Sequence, residues 1–269
     1  MTTFHTIAAA GSRFSYRERG SGPLALLLHG FGMDSRMWEP VMERIGARRR
    51  CVAVDLRGAG GTVLGSAASV PLERHADDVA ALIAAFGGDA ADVVGFSMGG
   101  FVLLALLERT PAVVRTAAFV GTRANADDAA GLATREALVG TLLEHGRAAA
   151  YTELLPRLVA ADAAELVRAR LRTMLEDQPY EGLVAAQRAM AERPDRLEVV
   201  RGARLPVLVV AGEHDAFAPP PLPAAMAEAA ADGRLEVIAG VGHTMPLEAP
   251  VDVARLLAGF WDRTASAAW

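Results

Sequence analysis

The chain has 269 residues, 52% of them hydrophobic and 22% charged, with a formal net charge of -5. This length and apolar share suit one α/β domain carrying an insertion and exclude a disordered chain. The acidic balance gives no electrostatic reason to bind nucleic acid. All 27 basic residues are arginine, which removes Schiff-base chemistry, a pyridoxal phosphate anchor and a P-loop lysine. The single cysteine, Cys51, precedes Val52-Ala53-Val54 and reads as a small buried hydrophobe. With no Cys/His cluster, no disulfide and no metal site are expected. The first residues lack a basic segment followed by a long apolar one, and no apolar run reaches spanning length. A cytoplasmic protein without a membrane partner is therefore expected. The sequence leaves the oligomeric state open.

Thr3–Ala9 and Arg13–Arg19 read as strands of a hairpin turning at Ala10-Gly11-Ser12. Leu24–Leu28 is a short, continuous apolar run, the pattern of a strand buried on both faces. Ser35–Ile45 has helical spacing, and Cys51–Val54 reads as the next strand. Leu72–Phe86 reads as a helix with one apolar face, on which His75 is expected to point to solvent. Asp92–Phe96 is a strand, and Met98–Arg109 a helix stopped by Thr110-Pro111. Strands follow at Ala117–Val120, Pro206–Val210 and Arg234–Ile238, then a closing helix at Val251–Trp261. The alternation predicts a mostly parallel sheet with helices on both faces. Between residues 124 and 203 there is no strand pattern, only helical runs (Leu142–Arg147, Ala163–Leu175, Tyr180–Glu192) bounded by Pro156, Pro179 and Pro194. This stretch reads as a helical cap inserted into a core of residues 1–123 and 204–269.

Gly95-Phe96-Ser97-Met98-Gly99 fits G-x-S-x-G. The motif alone is weak, but here it joins an apolar strand to an apolar helix. There a serine sits in a strained turn with its Oγ exposed and a helix N-terminus behind it. A plain helix-capping role is the competing reading. A serine hydroxyl needs a base to become a nucleophile. His243, in Gly240-Val241-Gly242-His243, follows the last predicted strand at its carboxyl end, where functional groups gather in open α/β sheets. Asp215, just past the strand before it, can fix the imidazole tautomer, with Glu213 as its rival. The oxyanion donors expected are the N–H groups of Met98 and of Phe31, with Gly32 as the alternative to Phe31. Asp55 and Arg57 are expected to organise their loop, Trp38 to be core, and His29 to orient the oxyanion loop. The run Arg48-Arg49-Arg50 is read as a solvated loop.

Five ordered motifs carry a family resemblance. They are His29-Gly30-Phe31 with Trp38 beyond it, Asp55-Leu56-Arg57-Gly58, Gly95-Phe96-Ser97-Met98-Gly99-Gly100, Gly212-Glu213-His214-Asp215, and Gly242-His243 with Glu248-Ala249-Pro250. In them the chain resembles α/β-hydrolase-fold serine hydrolases over nearly its whole length, and within these the 3-oxoadipate enol-lactonases and small esterases. The resemblance implies an eight-stranded, mostly parallel sheet with a helical cap, and a cofactor-free site. The order Ser97, Asp215, His243 agrees with the triad order of that fold. Ala59 stands where relatives usually carry an aromatic residue or histidine. Thr244 stands where C–C hydrolases of this fold usually have tryptophan, which weighs against C–C hydrolysis. Ser97 argues against the dehalogenases and epoxide hydrolases, whose nucleophile is aspartate.

The expected activity is hydrolysis of a small carboxylic ester or lactone through an acyl-enzyme on Ser97. An apolar pocket under the cap favours an uncharged or weakly polar substrate. A histidine base ordinarily titrates at about 6–7, so activity is expected to rise through that range. A lyase or cyclase using His243 as base is the alternative, and a ligand sensor with a residual hydrolase site a more distant one.

Overall fold

The computed structural model describes residues 3–45, 48–65 and 70–266, so the outermost limits expected for the core lie outside the described residues. Eight strands form one sheet: β1 (Thr3–Ala9), β2 (Ser12–Arg19), β3 (Leu24–Leu28), β4 (Arg50–Val54), β5 (Ala91–Phe96), β6 (Val114–Val120), β7 (Val207–Gly212) and β8 (Gly233–Ile238). Their order is β1-β2-β4-β3-β5-β6-β7-β8. β1–β2 and β2–β4 pair antiparallel, and every later pair is parallel.

Strand alternation sorts the core into two layers. Leu24, Leu26 and Leu28 face one side with Val79, Leu82, Ile83 and Val102. Those partners sit on α2 (Leu72–Ala85) and α3 (Met98–Arg109). Ala25 and Leu27 face the other side with Trp38, Val41, Leu257 and Trp261. These come from a 3₁₀ turn at Ser35–Trp38, α1 (Glu39–Ile45) and, closing the chain, the long helix Pro250–Ser266. With helices on both faces, β3, β5 and β7 are buried along their whole length, which is why they read as unbroken apolar runs. Cys51 is buried among them, and burial pushes its thiol up to about 12.

Between β6 and β7 lie α4 (Ala129–Leu158), α5 (Glu165–Asp177), α6 (Tyr180–Ala191) and α7 (Leu197–Gly202). α4 is broken at Gly146, which has φ 79° and ψ -176°, so the run expected over Leu142–Arg147 crosses the break. Pro156 does not bound a helix as expected but sits inside the last turn of α4, and Pro179 precedes α6. After β7 come α8 (Pro221–Ala229), α9 (Met245–Glu248) and α10 (Pro250–Ser266). Among the described residues no helix is long and apolar enough to cross a membrane.

Two expectations need correction. Arg48 is solvated as expected, in a surface pair with Asp262, but Arg49 and Arg50 do not solvate a loop and instead pair with Asp92 and Glu18, cross-linking distant elements. His75 is buried, at 4% exposure, and its Nδ1 has no partner among the described residues. The spacing explains this: His75 falls in the stripe of Leu72, Ala76, Val79 and Leu82, which faces the core. Burial first, then repulsion from His29 when protonated and from Arg57 and Arg74, push its imidazole down to about 3. The unfolded chain takes up that proton near pH 6.5, whereas the folded chain does so only near 3. Stability is therefore full above 6.5 and is lost as pH falls below it, by about 1.4 kcal/mol per unit. We expect urea unfolding to report a loss of about 2 kcal/mol between pH 6.5 and 5, above the range where carboxylates contribute, and a flatter profile for His75→Leu. Equal slopes in the two proteins would refute this.

Candidate active site

β5 ends at Phe96 and α3 begins at Met98, leaving Ser97 alone at the turn with φ 50° and ψ -113°. A residue with a side chain is strained there. The turn is held by Ser97 N–H donating to Val120 O (2.9 Å), while Ser97 O accepts from Gly100 N (2.9 Å) and Thr122 Oγ1 (2.9 Å). The glycines of the motif follow from crowding. A Cβ on Gly95 would lie 2.5 Å from Gly99 O, and one on Gly99 would lie 2.5 Å from Leu28 O. Only with both side chains absent can strand, turn and helix pack this tightly.

The Ser97 side chain makes no helix cap. Its Oγ lies 2.9 Å from His243 Nε2. On the far side of the ring, Nδ1 lies 2.9 Å from both Asp215 Oδ1 and Oδ2. Parallel pairing of β5 to β6, β6 to β7 and β7 to β8 aligns the carboxyl ends from which the three residues project. Asp215 is buried at 3% exposure, and its Oδ1 also accepts from the N–H groups of Phe217 (2.8 Å) and Ala218 (2.9 Å). Burial alone would raise its pKa. The charge and hydrogen bond of His243, with the two backbone N–H groups, outweigh burial and hold the carboxyl below its usual range. Glu213 turns away to accept from Gly240 N–H (2.8 Å). The His243 loop is clamped by Glu248, whose Oε2 accepts from Gly242 N–H (3.1 Å) and Ala160 N–H (2.8 Å). Phe96 and Phe217 pack on the imidazole with ring centroids 5.0 and 4.8 Å away.

The loop after β3 approaches Ser97 from the other side. Leu56 N–H donates to His29 Nε2 (2.9 Å), so the ring proton sits on Nδ1, which donates to Gly30 O (2.9 Å). His29 thus braces the loop as expected. Asp55 joins in by accepting from Ser35 N–H (2.8 Å) and Gly61 N–H (2.9 Å), and Arg57 pairs with Asp78. A Cβ on Gly30 would lie 3.2 Å from Ser97 Cβ, so the backbone at Gly30-Phe31 runs beside the hydroxyl. Met98 N–H opens α3, and among the described residues neither it nor Phe31 N–H has a protein acceptor.

A cavity of about 330 Å³ opens over Ser97 and His243, walled by Phe31, Phe101, Leu138, Leu154 and Met190. It is not purely apolar, as expected from sequence, because Arg123, Asp127, Arg135 and Arg157 also line it. Sequence reasoning missed these four, together with Thr122 and Phe217. Among the described residues no group of side chains could hold a metal ion.

A strained serine between strand and helix, touching a histidine backed by an aspartate at the carboxyl edge of this sheet, defines an α/β-hydrolase enzyme. The model of the alpha/beta hydrolase family matches residues 25–256, and the chain belongs to that family. It is 30% identical over 260 residues to 2-(acetamidomethylene)succinate hydrolase of Mesorhizobium japonicum, covering 91% of this chain and 90% of the relative. A thermophilic esterase from Thermogutta terrifontis superposes with a TM-score of 0.89 at 29% identity, covering 98% of this chain and 99% of the esterase. The enol-lactonase of Burkholderia xenovorans LB400 gives 0.88 at 24% identity over 96% of this chain and 100% of its own, a likeness of fold alone.

Proposed function

We propose that the protein hydrolyses a small carboxylic ester or lactone through an acyl-enzyme on Ser97. The observation that carries this reading is the continuous chain of 2.9 Å contacts from Ser97 Oγ through His243 to Asp215. Asp215 accepts from Nδ1–H and fixes the tautomer, which leaves the Nε2 lone pair facing the hydroxyl. Ser97 Oγ attacks the carbonyl carbon while its proton passes to Nε2. The carbonyl electron pair moves onto oxygen, where Phe31 and Met98 N–H donate to it. The C–O bond then breaks, and His243 gives its proton to the leaving oxygen. In a lactone that oxygen stays tethered as a hydroxyl of the acyl chain. Water repeats the cycle on the acyl-enzyme, returning the acid and free Ser97. Residues 124–203 act as the cap, since Leu138, Leu154 and Met190 from them wall the cavity. The esterase and hydrolase relatives support the reaction class.

The test pairs a fluorophosphonate probe with turnover of p-nitrophenyl butyrate and γ-valerolactone. The expected result is a single phosphonylated serine, Ser97, with turnover of at least one of the two substrates. Labelling without turnover across an ester and lactone panel would overturn hydrolysis in favour of lyase or cyclase chemistry.

A further inference from the structure

One wall of the cavity carries more positive charge than it balances. Asp127 accepts from three guanidinium groups. Arg193 reaches it through two nitrogens (2.6 and 2.9 Å), and Arg123 and Arg135 through one each. The carboxylate's acceptor positions are then taken. Asp127 and Arg193 are almost fully buried, at 1% and 2% side-chain exposure. Arg123 and Arg135, at 21% and 17%, face the cavity. Arg157, itself exposed, adds a screened charge to the lining, stacked 4.2 Å over the Phe217 ring and with no ion-pair partner among the described residues. Glu153 also lines the cavity, but it is exposed and accepts from Thr141. Asp128 is exposed and lies outside the lining, where water screens it. The cluster of Arg123, Arg135 and the buried Arg193 around the single Asp127 therefore keeps two more positive than negative charges.

The cluster is placed by the catalytic strands. Arg123 follows Thr122, whose hydroxyl donates to Ser97 O, and Gly121, whose Cβ would lie 3.3 Å from Asp215 Oδ2. Arg123 gives only one of its five N–H groups to the protein. Arg135 is held in place by Gln187 Oε1 (3.0 Å) as well as Asp127. Burial and then repulsion from Arg193, with a further contribution from Arg157, lower the proton affinity of Arg123 despite Asp127 and Asp128. A cross-link serving only the fold would need a matching second acid, because burying unpaired charge is costly.

We propose that this wall is an anion subsite and that the substrate carries a carboxylate remote from the scissile carbonyl. Its binding rests on the hydrolase reading above: Ser97 acts on the ester while Arg123, steadied by Arg135 and Asp127, takes the distal carboxylate in a charge-assisted pair. The apolar walls of the same cavity, Leu138, Leu154 and Met190 among them, suit a methylene chain. The substrate class is therefore a monoester or lactone derived from a dicarboxylic acid, and the weakly polar substrate expected from sequence is set aside.

The experiment compares p-nitrophenyl hydrogen glutarate with p-nitrophenyl pentanoate, which differ by a terminal carboxylate against a methyl group. At low salt the wild type is expected to favour the charged ester at least tenfold in kcat/KM, with the advantage shrinking as salt is added. Arg123→Gln should bring the ratio close to one, and Arg123→Lys should keep part of it. Arg157→Gln, which breaks no ion pair among the described residues, should lower the ratio about threefold even if Arg123→Gln fails to fold. Thermal melts read the subsite without turnover: glutarate should raise the wild-type Tm, and neutral glutaramide should not. If neither ester is cleaved the hydrolase reading fails, and the glutarate melt still decides the subsite. No preference for the charged ester, or no stabilisation by glutarate, overturns the proposal.

Discussion

Replacing Ser97 with alanine is expected to lower kcat/KM for a small ester by at least about 10⁴-fold. Oγ is the one atom placed 2.9 Å from His243 Nε2, and without it the base has no nucleophile to deprotonate. The residual rate would come from oxyanion donors acting on water. Stability should respond differently. Alanine inherits φ 50° and ψ -113°, so the backbone strain persists and Tm should stay within about 2 °C of wild type. Ser97→Gly tolerates that geometry and should be the more stable of the two variants by about 1 kcal/mol, or about 2 °C. Ester turnover and circular-dichroism melts on both variants check this. Activity of Ser97→Ala above about 1% of wild type would place the nucleophile elsewhere. A glycine variant no more stable than the alanine one would remove strain from the account.

Much of this architecture is written locally. β3, β5 and β7 could be read because burial on both faces forces continuous apolar runs. The Ser97 turn could be read because three backbone segments meet there and only glycine fits at 95 and 99. The positions of Asp215 and His243 followed from a rule about carboxyl ends of strands. Features that depend on distant partners were not legible. Asp127 meets Arg193 across 66 residues, and Gln178 reaches 144 residues back to Asp34. An arginine-only basic complement makes every such cluster look like ordinary surface charge. His75 is a different case: the stripe that buries it is local, but its residue type argues for solvent where its position argues for the core. α8 escaped because Pro221 and Pro223 look like breakers, although proline is tolerated in a first helical turn.

Asp215→Asn carries the second large effect, about 10³–10⁴-fold in kcat by comparison with serine-protease triads. The geometry decides which way the amide faces. Oδ1 accepts from Phe217 N–H and Ala218 N–H at 2.8 and 2.9 Å, so the amide oxygen of an asparagine keeps that position. The NH₂ group is then forced into the place of Oδ2, 2.9 Å from His243 Nδ1. A donor there opposes a proton on Nδ1, while the amide oxygen, also 2.9 Å from Nδ1, already accepts from two backbone N–H groups, so the balance shifts toward the tautomer with the ring proton on Nε2. Nε2–H then donates to Ser97 Oγ and cannot take its proton. The fold should survive, because the shape and both backbone hydrogen bonds are retained. KM should change little, since Asp215 lies behind the imidazole and outside the cavity lining. Steady-state kinetics on p-nitrophenyl butyrate test the split between kcat and KM, and a Tm measured on the same preparation reports folding. A kcat within tenfold of wild type in a folded Asp215→Asn protein would mean that the carboxylate does not set the tautomer, and Asp215 would lose its place in the mechanism.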